Sequence, residues 1–550
     1  MTRRFAACVA AVAALLVPAS AQGSTVFTLV GHGWGHGIGM SQYGALGYAE
    51  HGFGYKQILG HYFTGTHVAP LSRSITERVL LSSGPAVHFG DAAKMTLRDA
   101  SGTKKTLAAG RYHLRRGGTA GRLQMVNGAT GKVTKRLVAP VTISPGSQPL
   151  QLNDSAGIGF TRDHWHGSFR VAISGSSLLC INLVGLEKYL RGVVPSEMPA
   201  SWMSPALKAQ AVAARSYAVA TRNPSGLYDA YADTRSQVYG PIEHEATAST
   251  AAVTATVHRV VWYRHTVATT FFSSSSGGRT ASEQAAWGTS TGQPYLVPVI
   301  DRYDAAGGAN PNHDWPATTY TPAGLARALG VSGAVGSVAM TIDGPSQRIL
   351  HLAVTASGGT TGLSGVQVQG RMGLRSNYFR ILQRTLAAPR VAVAGQSFKV
   401  TGRAWPRPNG GVTLQRRTTA TGAWGVSVAH VKLGAKGNFS LSFHPTAARW
   451  YRLVSAGRAV SPTVHVAVQP ALTLAATGGH FQGTMYPALP GEPLVLFRHT
   501  ASGWVSVETQ TAGQNGHAAF TTAPTTGTWR VHYDGDATHR RGHSPALVVP

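Results

Sequence analysis

Between residues 31 and 39 of this 550-residue chain every second residue is glycine, and the run 31–45 reads GHGWGHGIGMSQYGA. Few patterns restrict a backbone so strongly. A helix is excluded, because each interior glycine costs about 1 kcal/mol relative to alanine and five fall within nine residues. His32 and His36 are therefore not a helical metal pair, and no cysteine or third ligand nearby completes a zinc site. A period of two predicts an extended strand with His32, Trp34, His36 and Ile38 on one face and bare backbone on the other. Such a strand has two uses. It can wall a polar-aromatic cleft, or its glycine face can let a neighbouring segment pack closely.

The length suggests three or four domains. Residues 1–21 read as a signal peptide: Arg3 and Arg4 lead an apolar run, 5–17, and Ala19-Ser20-Ala21 is a small-residue cleavage site. The mature chain is expected to begin near Gln22, with no transmembrane segment after signal removal. This makes the protein secreted, cell-wall or extracellular. Cys8 leaves with the signal, so Cys180 is alone in the apolar run SLLCINLVGL. It reads as a small buried hydrophobe rather than a catalytic thiol, and no disulfide can form within the mature chain. Formal charge is +28, or +26 without the two signal arginines. Such a chain is drawn to polyanions. The cations are spread along the sequence with no nucleic-acid-binding signature, so nucleic acid is not the expected partner. For an exported chain, an anionic wall polymer or membrane surface is.

Residues 70–180 alternate short apolar runs with Gly, Asp and Thr turns, the pattern of a β-rich part. SPALKAQAVAARSYAVATR then reads as a helix, with Ser204 as N-cap and Pro205 at the first helical position. Further on, the stretch near Gly410 repeats near Gly491, and both copies continue to a tryptophan-led strand, RWYRLVSAG and TWRVHYDGD. The expected architecture is an α+β catalytic core, β-rich with a few helices, followed by two tandem all-β, Ig-like sandwich domains. The core spans 25–387, divided into 25–69, 70–180 and 181–387. The sandwiches span 388–468 and 469–550 and are read as spacers or adhesive modules.

The chemistry concentrates in 182–219. A strand-like GVV leads into Pro195-Ser196-Glu197-Met198-Pro199, so one carboxylate is held between two prolines just before a helix. On that helix Lys208 and Arg215, seven residues apart, share a face about 10 Å apart along the axis. A carboxylate beside two cations is either a salt-bridge network or an acid with helpers for an anionic substrate.

These residues resemble a known family. VVPSEMP followed by ALKAQAVAARSYA is similar to the hallmark of the stage II sporulation protein D/LytB family. GHGWGHGIGMSQYGALGYAEHGFGYKQILGHYFTGT resembles its second hallmark, and FFSSSSGGRT, PYLVPV and SGVQVQGRMGLRSNYF also match. In sporulation members the GHG segment follows the rest of the core. Here it comes first, so the order is permuted.

The resemblance implies a peptidoglycan lytic transglycosylase acting on glycan strands. Some members are instead non-catalytic enhancers of a cell-wall amidase, and a wall-binding surface protein is a third reading. It implies Glu197 as acid/base, with Lys208, Arg215, Tyr263 and the serines Ser273, Ser274 and Ser275 as supporting, substrate-side positions. His36 and Gln42 are then expected near the glycan on an extended cleft wall. A lytic transglycosylase needs one carboxylate rather than two, because the sugar's own primary hydroxyl closes onto the anomeric carbon. That carboxylate should have its pKa raised by partial burial. Lys208 and Arg215 would lower it on contact, so they are assigned to substrate groups or to orientation. Some relatives bind zinc near the QVY segment. Here Thr234, Arg235 and Ser236 stand there, so neither metal nor cofactor is expected.

Overall fold

The computed structural model describes residues 21–152, 163–289, 291–408, 411–425, 429–455 and 458–550. The expected signal peptide lies outside them but for Ala21. The fold is β-rich, with 45% of the described residues in strands and 16% in helices. No helix among the described residues is long and apolar enough to cross a membrane.

Strand β1 (Ala21–Gly31) delivers the glycine-rich segment, with Phe27 and Leu29 buried at alternate positions. The strand stops at Gly31. Beyond it the expected extended strand is absent, because Gly33, Gly35, Gly37 and Gly39 all take positive φ, between 69° and 103°. The period of two therefore marks a left-handed backbone at every second residue, where a side chain is strained. It does not mark one face. Trp34 is 50% exposed while Ile38 is wholly buried. The close-packing use of glycine does occur. A Cβ at Gly35 would lie 2.6 Å from Ser273 Cβ, and one at Gly37 would overlap the Arg348 guanidinium. Helix α1 (Gln42–Glu50) follows, capped by Ser41, whose Oγ accepts from the Gly44 N–H at 3.0 Å.

The described residues of the 70–180 region form strands as expected. In a seven-stranded sheet, β2 (Thr76–Gly84) lies antiparallel to β3 (Ser177–Gly185), where the Cys180 thiol is fully buried. Helix α2 (Leu186–Glu197) begins directly after β3. The strand-like reading of Gly192, Val193 and Val194 is corrected here, since all three are helical. Tyr189, Leu190, Val193 and Val194 are buried at helical spacing, and this packing outweighs the β preference of two valines. Helix α3 (Ser204–Ala220) buries 12 of its 17 residues. A helix surrounded on most sides must be small and apolar all round, which explains its alanines. Its N-cap is Met203, one residue before the expected Ser204, with proline in the first turn and no side-chain cap bond.

Strand β4 (Phe379–Pro389) returns to the start of the chain, pairing antiparallel with all of β1 from Ala21↔Pro389 to Gly31↔Phe379. The N-terminal segment is thereby joined to the end of the core. The His32 N–H donates to Tyr378 O at 2.8 Å and the Gly35 N–H to Arg375 O at 2.9 Å. β4 also pairs with the strand Phe398–Trp405, so the boundary drawn between 387 and 388 falls inside a strand.

Two further cores form the tail. In the first, β5 (Val412–Arg417), β6 (Arg449–Ser455) and β7 (Val464–Gln469) share buried Leu414, Leu453 and Val466 with Leu386 and Val400 of the other sheet. In the second, β8 (Pro493–Thr500) and β9 (Gly527–Gly535) bury Leu496 and Val531 against Phe481. Leu414 pairs with Leu453 as Leu496 pairs with Val531, so the sequence repeat is a repeat of register.

Candidate active site

Glu197 is the last residue of α2. Pro195 removes one backbone donor from the final turn and Pro199 prevents continuation. The Ser196 hydroxyl donates to Gly192 O at 2.7 Å and closes the helix end. The half-buried Glu197 carboxylate accepts from the Val238 N–H at 2.7 Å, and Gln42 Nε2 donates to the Glu197 backbone carbonyl at 2.9 Å. Burial raises the Glu197 pKa, while the bonds from Val238 and Gln42 pull it partly back. The negative end of the α2 dipole adds to the raising. Among the described residues no cation pairs with this carboxylate.

Gln42 opens α1, so the structure brings one GHG-segment residue to Glu197 across 155 positions of sequence. Tyr43 beside it packs against Trp202 with the rings tilted and their centroids 4.8 Å apart. On α3, Tyr217 has its pKa raised by burial and then by the charge of Glu197, and its ring edge packs on Phe271 at 5.7 Å. Tyr43, Trp202, Tyr217 and Val238 were not singled out by spacing. Their only signal is adjacency to the motifs, in SQYG, ASWM, ARSYA and SQVYG.

Arg215 is elsewhere. It is wholly buried and grips Glu187 with two donors, Nε to Oε1 at 2.9 Å and Nη2 to Oε2 at 2.7 Å. Its Nη1 also donates to Arg259 O at 3.1 Å. The ion-pair reading places Glu197 beside both cations, whereas Arg215 pairs with Glu187. Glu187 and Glu197 are ten residues apart on one helix, about 15 Å, so Arg215 does not reach the site. Lys208, seven residues before Arg215, is half-buried and makes no ion pair among the described residues. Tyr263 is half-buried, with its ring against Tyr295 at 4.9 Å and under Arg264 at 5.4 Å.

The serines fasten the glycine segment. Gly37 N–H donates to Ser273 Oγ at 3.2 Å, Tyr43 N–H to Ser274 O at 3.0 Å and Trp34 N–H to Ser275 O at 2.9 Å. The Ser275 hydroxyl donates to buried Asp304 at 2.8 Å, and Ser274 Oγ accepts from Asn312 at 3.3 Å. Asp304 also receives the Ser41 hydroxyl at 2.6 Å and His313 at 2.8 Å. These donors outweigh its burial and lower its pKa. One carboxylate thus ties three segments together.

His36 has its pKa lowered to about 4, first by burial and then by Arg348. Its Nδ1 accepts the Ile38 N–H at 2.9 Å, and its ring lies 5.4 Å from Trp287. It is a neutral, fixed ring. In the QVY segment Arg235 is paired with Asp233 at 2.7 Å and stacks on Tyr231 at 3.7 Å. Among the described residues no three His, Cys, Asp or Glu side chains are grouped to hold a metal.

Residues 174–263, which contain Glu197, Lys208, Arg215 and Tyr263, match the family described as stage II sporulation protein. The chain carries a stage II sporulation protein D/LytB-family domain. It is 29% identical over 268 residues to stage II sporulation protein D of Bacillus subtilis, covering 42% of this chain and 74% of that one. It is 40% identical over 115 residues to the amidase enhancer of B. subtilis, covering 21% of this chain but only 15% of the relative. It is 35% identical over 143 residues to an uncharacterised protein of Brachyspira hyodysenteriae, covering 25% and 38%. The chain thus spans well under two thirds of the length of two of these relatives.

Proposed function

We propose that the chain is an exported peptidoglycan lytic transglycosylase with Glu197 as its single acid/base. The observation that carries this reading is a half-buried carboxylate at a helix C-terminus, with a raised pKa and no cation paired with it among the described residues. Protonated Glu197 donates to the glycosidic oxygen as the C–O bond breaks. The muramoyl primary hydroxyl attacks the anomeric carbon, and the Glu197 carboxylate takes the hydroxyl proton. One bond breaks, one forms, no water is consumed, and the acid is regenerated with an anhydromuramoyl end. Lys208 is assigned to polar groups of the glycan. Gln42 holds the backbone at Glu197 and is a positioning residue.

A second reading follows from the amidase enhancer relative: the domain stimulates a separate cell-wall amidase without cleaving glycan itself. Mass spectrometry of products from purified, stem-peptide-free glycan strands separates the two. Anhydromuramoyl ends from wild type and none from Glu197→Gln support the transglycosylase. No cleavage by a folded wild type that still binds strands, with stimulation of an added amidase, supports the enhancer.

A further inference from the structure

The charge of the tail is not spread evenly. Residues 388–468 contain eleven Lys or Arg and no Asp or Glu, whereas 469–550 contain four of each. The first unit therefore cannot neutralise its own cations. Among the described residues none of them enters an ion pair with any other part of the chain.

The outward face of the first unit is ordered. Gln415 pairs with Arg452 and Arg417 with Trp450 in the β5–β6 register, and Trp450 pairs with His465 of β7. His465 stacks on Trp450 at 3.9 Å. Arg417 lies over Trp424 at 4.5 Å, and Arg452 over the same ring at 4.2 Å. Gln415 Oε1 holds Arg452 by its Nε and Nη2 at 3.0 and 2.9 Å. The result is a ladder of flat rings and forked cations running across three strands. Desolvation, then the neighbouring Arg417, lower the Arg452 pKa, and an anion bound between the two guanidiniums would relieve that repulsion.

The second unit is a built-in comparison. Trp504 carries Arg530 over its ring at 4.2 Å, in the places of Trp424 and Arg452. His499 replaces Arg417, Thr528 replaces Trp450, and the net charge is zero. The scaffold is repeated while the ladder and its charge are not.

We propose that the β5–β6–β7 face of the first tail unit binds a phosphate-bearing wall polymer. Guanidinium forks match phosphate oxygens in pairs, indole faces offer flat apolar surface to sugar or polyol carbons, and an unopposed charge of eleven favours a repeating anion over a single one. The choice of a wall polymer rests on the cell-wall reading given above. The face itself is independent of Glu197.

The test is co-sedimentation of the full chain with purified cell wall, before and after hydrofluoric acid removes its phosphate polymer. A single-stranded oligonucleotide serves as the alternative polyanion. Wild type and Glu197→Gln should both bind intact wall about tenfold more tightly than stripped wall or oligonucleotide, with affinity falling steeply as salt rises. Arg417→Gln with Arg452→Gln should remove that preference. Lys399→Gln with Lys436→Gln, an equal charge loss on a strand of the other sheet and in a turn beside it, and Arg530→Gln in the second unit should keep most of it. Equal binding to stripped wall, or tighter binding of the oligonucleotide, would overturn the proposal. So would equal losses from the two double variants, which would make the attraction diffuse. Unaltered circular dichroism and thermal unfolding in each variant show that the ladder, not the fold, was removed.

Discussion

Helix α2 carries a glutamate at each end, and the two have opposite surroundings. Glu187 lies in the first turn, where the helix dipole favours a negative charge, and it is gripped by two donors of buried Arg215. Glu197 closes the last turn, where the dipole opposes a charge, and its carboxylate is held by neutral donors. One carboxylate is clamped by a guanidinium and holds two helices together. The other is stabilised toward its protonated form and is positioned to release a proton. Residue type says nothing of this difference; position along ten residues of helix, and the choice of partner, decide it.

The largest expected effect comes from breaking the structural end. Arg215→Ala leaves a void at a fully buried side chain and leaves Glu187 with its His258 contacts alone, which should cost about 2–5 kcal/mol, read as a lower denaturant midpoint at unchanged slope. A loss below about 1 kcal/mol would mean that the pair is ornamental and that Arg215 is free for another role.

The functional end is sharpened by pH. If protonated Glu197 is the working acid, cleavage should fall about tenfold per pH unit above its pKa, and that limb should lie above the ordinary carboxylate range. The linkage has a definite sign. A carboxyl raised in the folded state adds stability below its unfolded pKa and loses it as pH rises through the folded value. Glu197→Gln should therefore gain on wild type in stability as pH rises. An activity limb at or below the usual glutamate pKa would count against the assignment.

A smaller effect is expected at Gln42. Gln42→Ala leaves the Glu197 carbonyl without its 2.9 Å partner, a cost of about 1–2 kcal/mol. Turnover on glycan should drop more than strand binding does, because the residue orients the helix end. An unchanged kcat with weakened binding would instead make Gln42 a direct glycan contact.

Parts of this comparison can be read without coordinates. The alanine-rich α3 is plain from SPALKAQAVAARSYAVATR, and Glu197 stands out between prolines. The fate of Arg215 is not legible, because its partner lies 28 residues upstream on another helix and a shared helix face does not say which neighbour each cation meets. The glycine run misleads for a different reason. Period two is the signature of a strand face and equally of a backbone that turns left-handed at every second residue, and only the φ values separate them. Gly192, Val193 and Val194 look like strand by propensity and are helical by packing. The uneven charge of the tail is visible in the sequence, whereas the ring ladder needs the β5–β6–β7 register.

The most direct test exchanges the two glutamates' roles one at a time. Glu187→Gln and Glu197→Gln are compared for unfolding free energy and for anhydromuramoyl ends formed per folded molecule. The account predicts that Glu187→Gln loses stability and keeps cleavage, while Glu197→Gln keeps stability and loses cleavage. Cleavage retained in Glu197→Gln, or abolished in a folded Glu187→Gln, would contradict it.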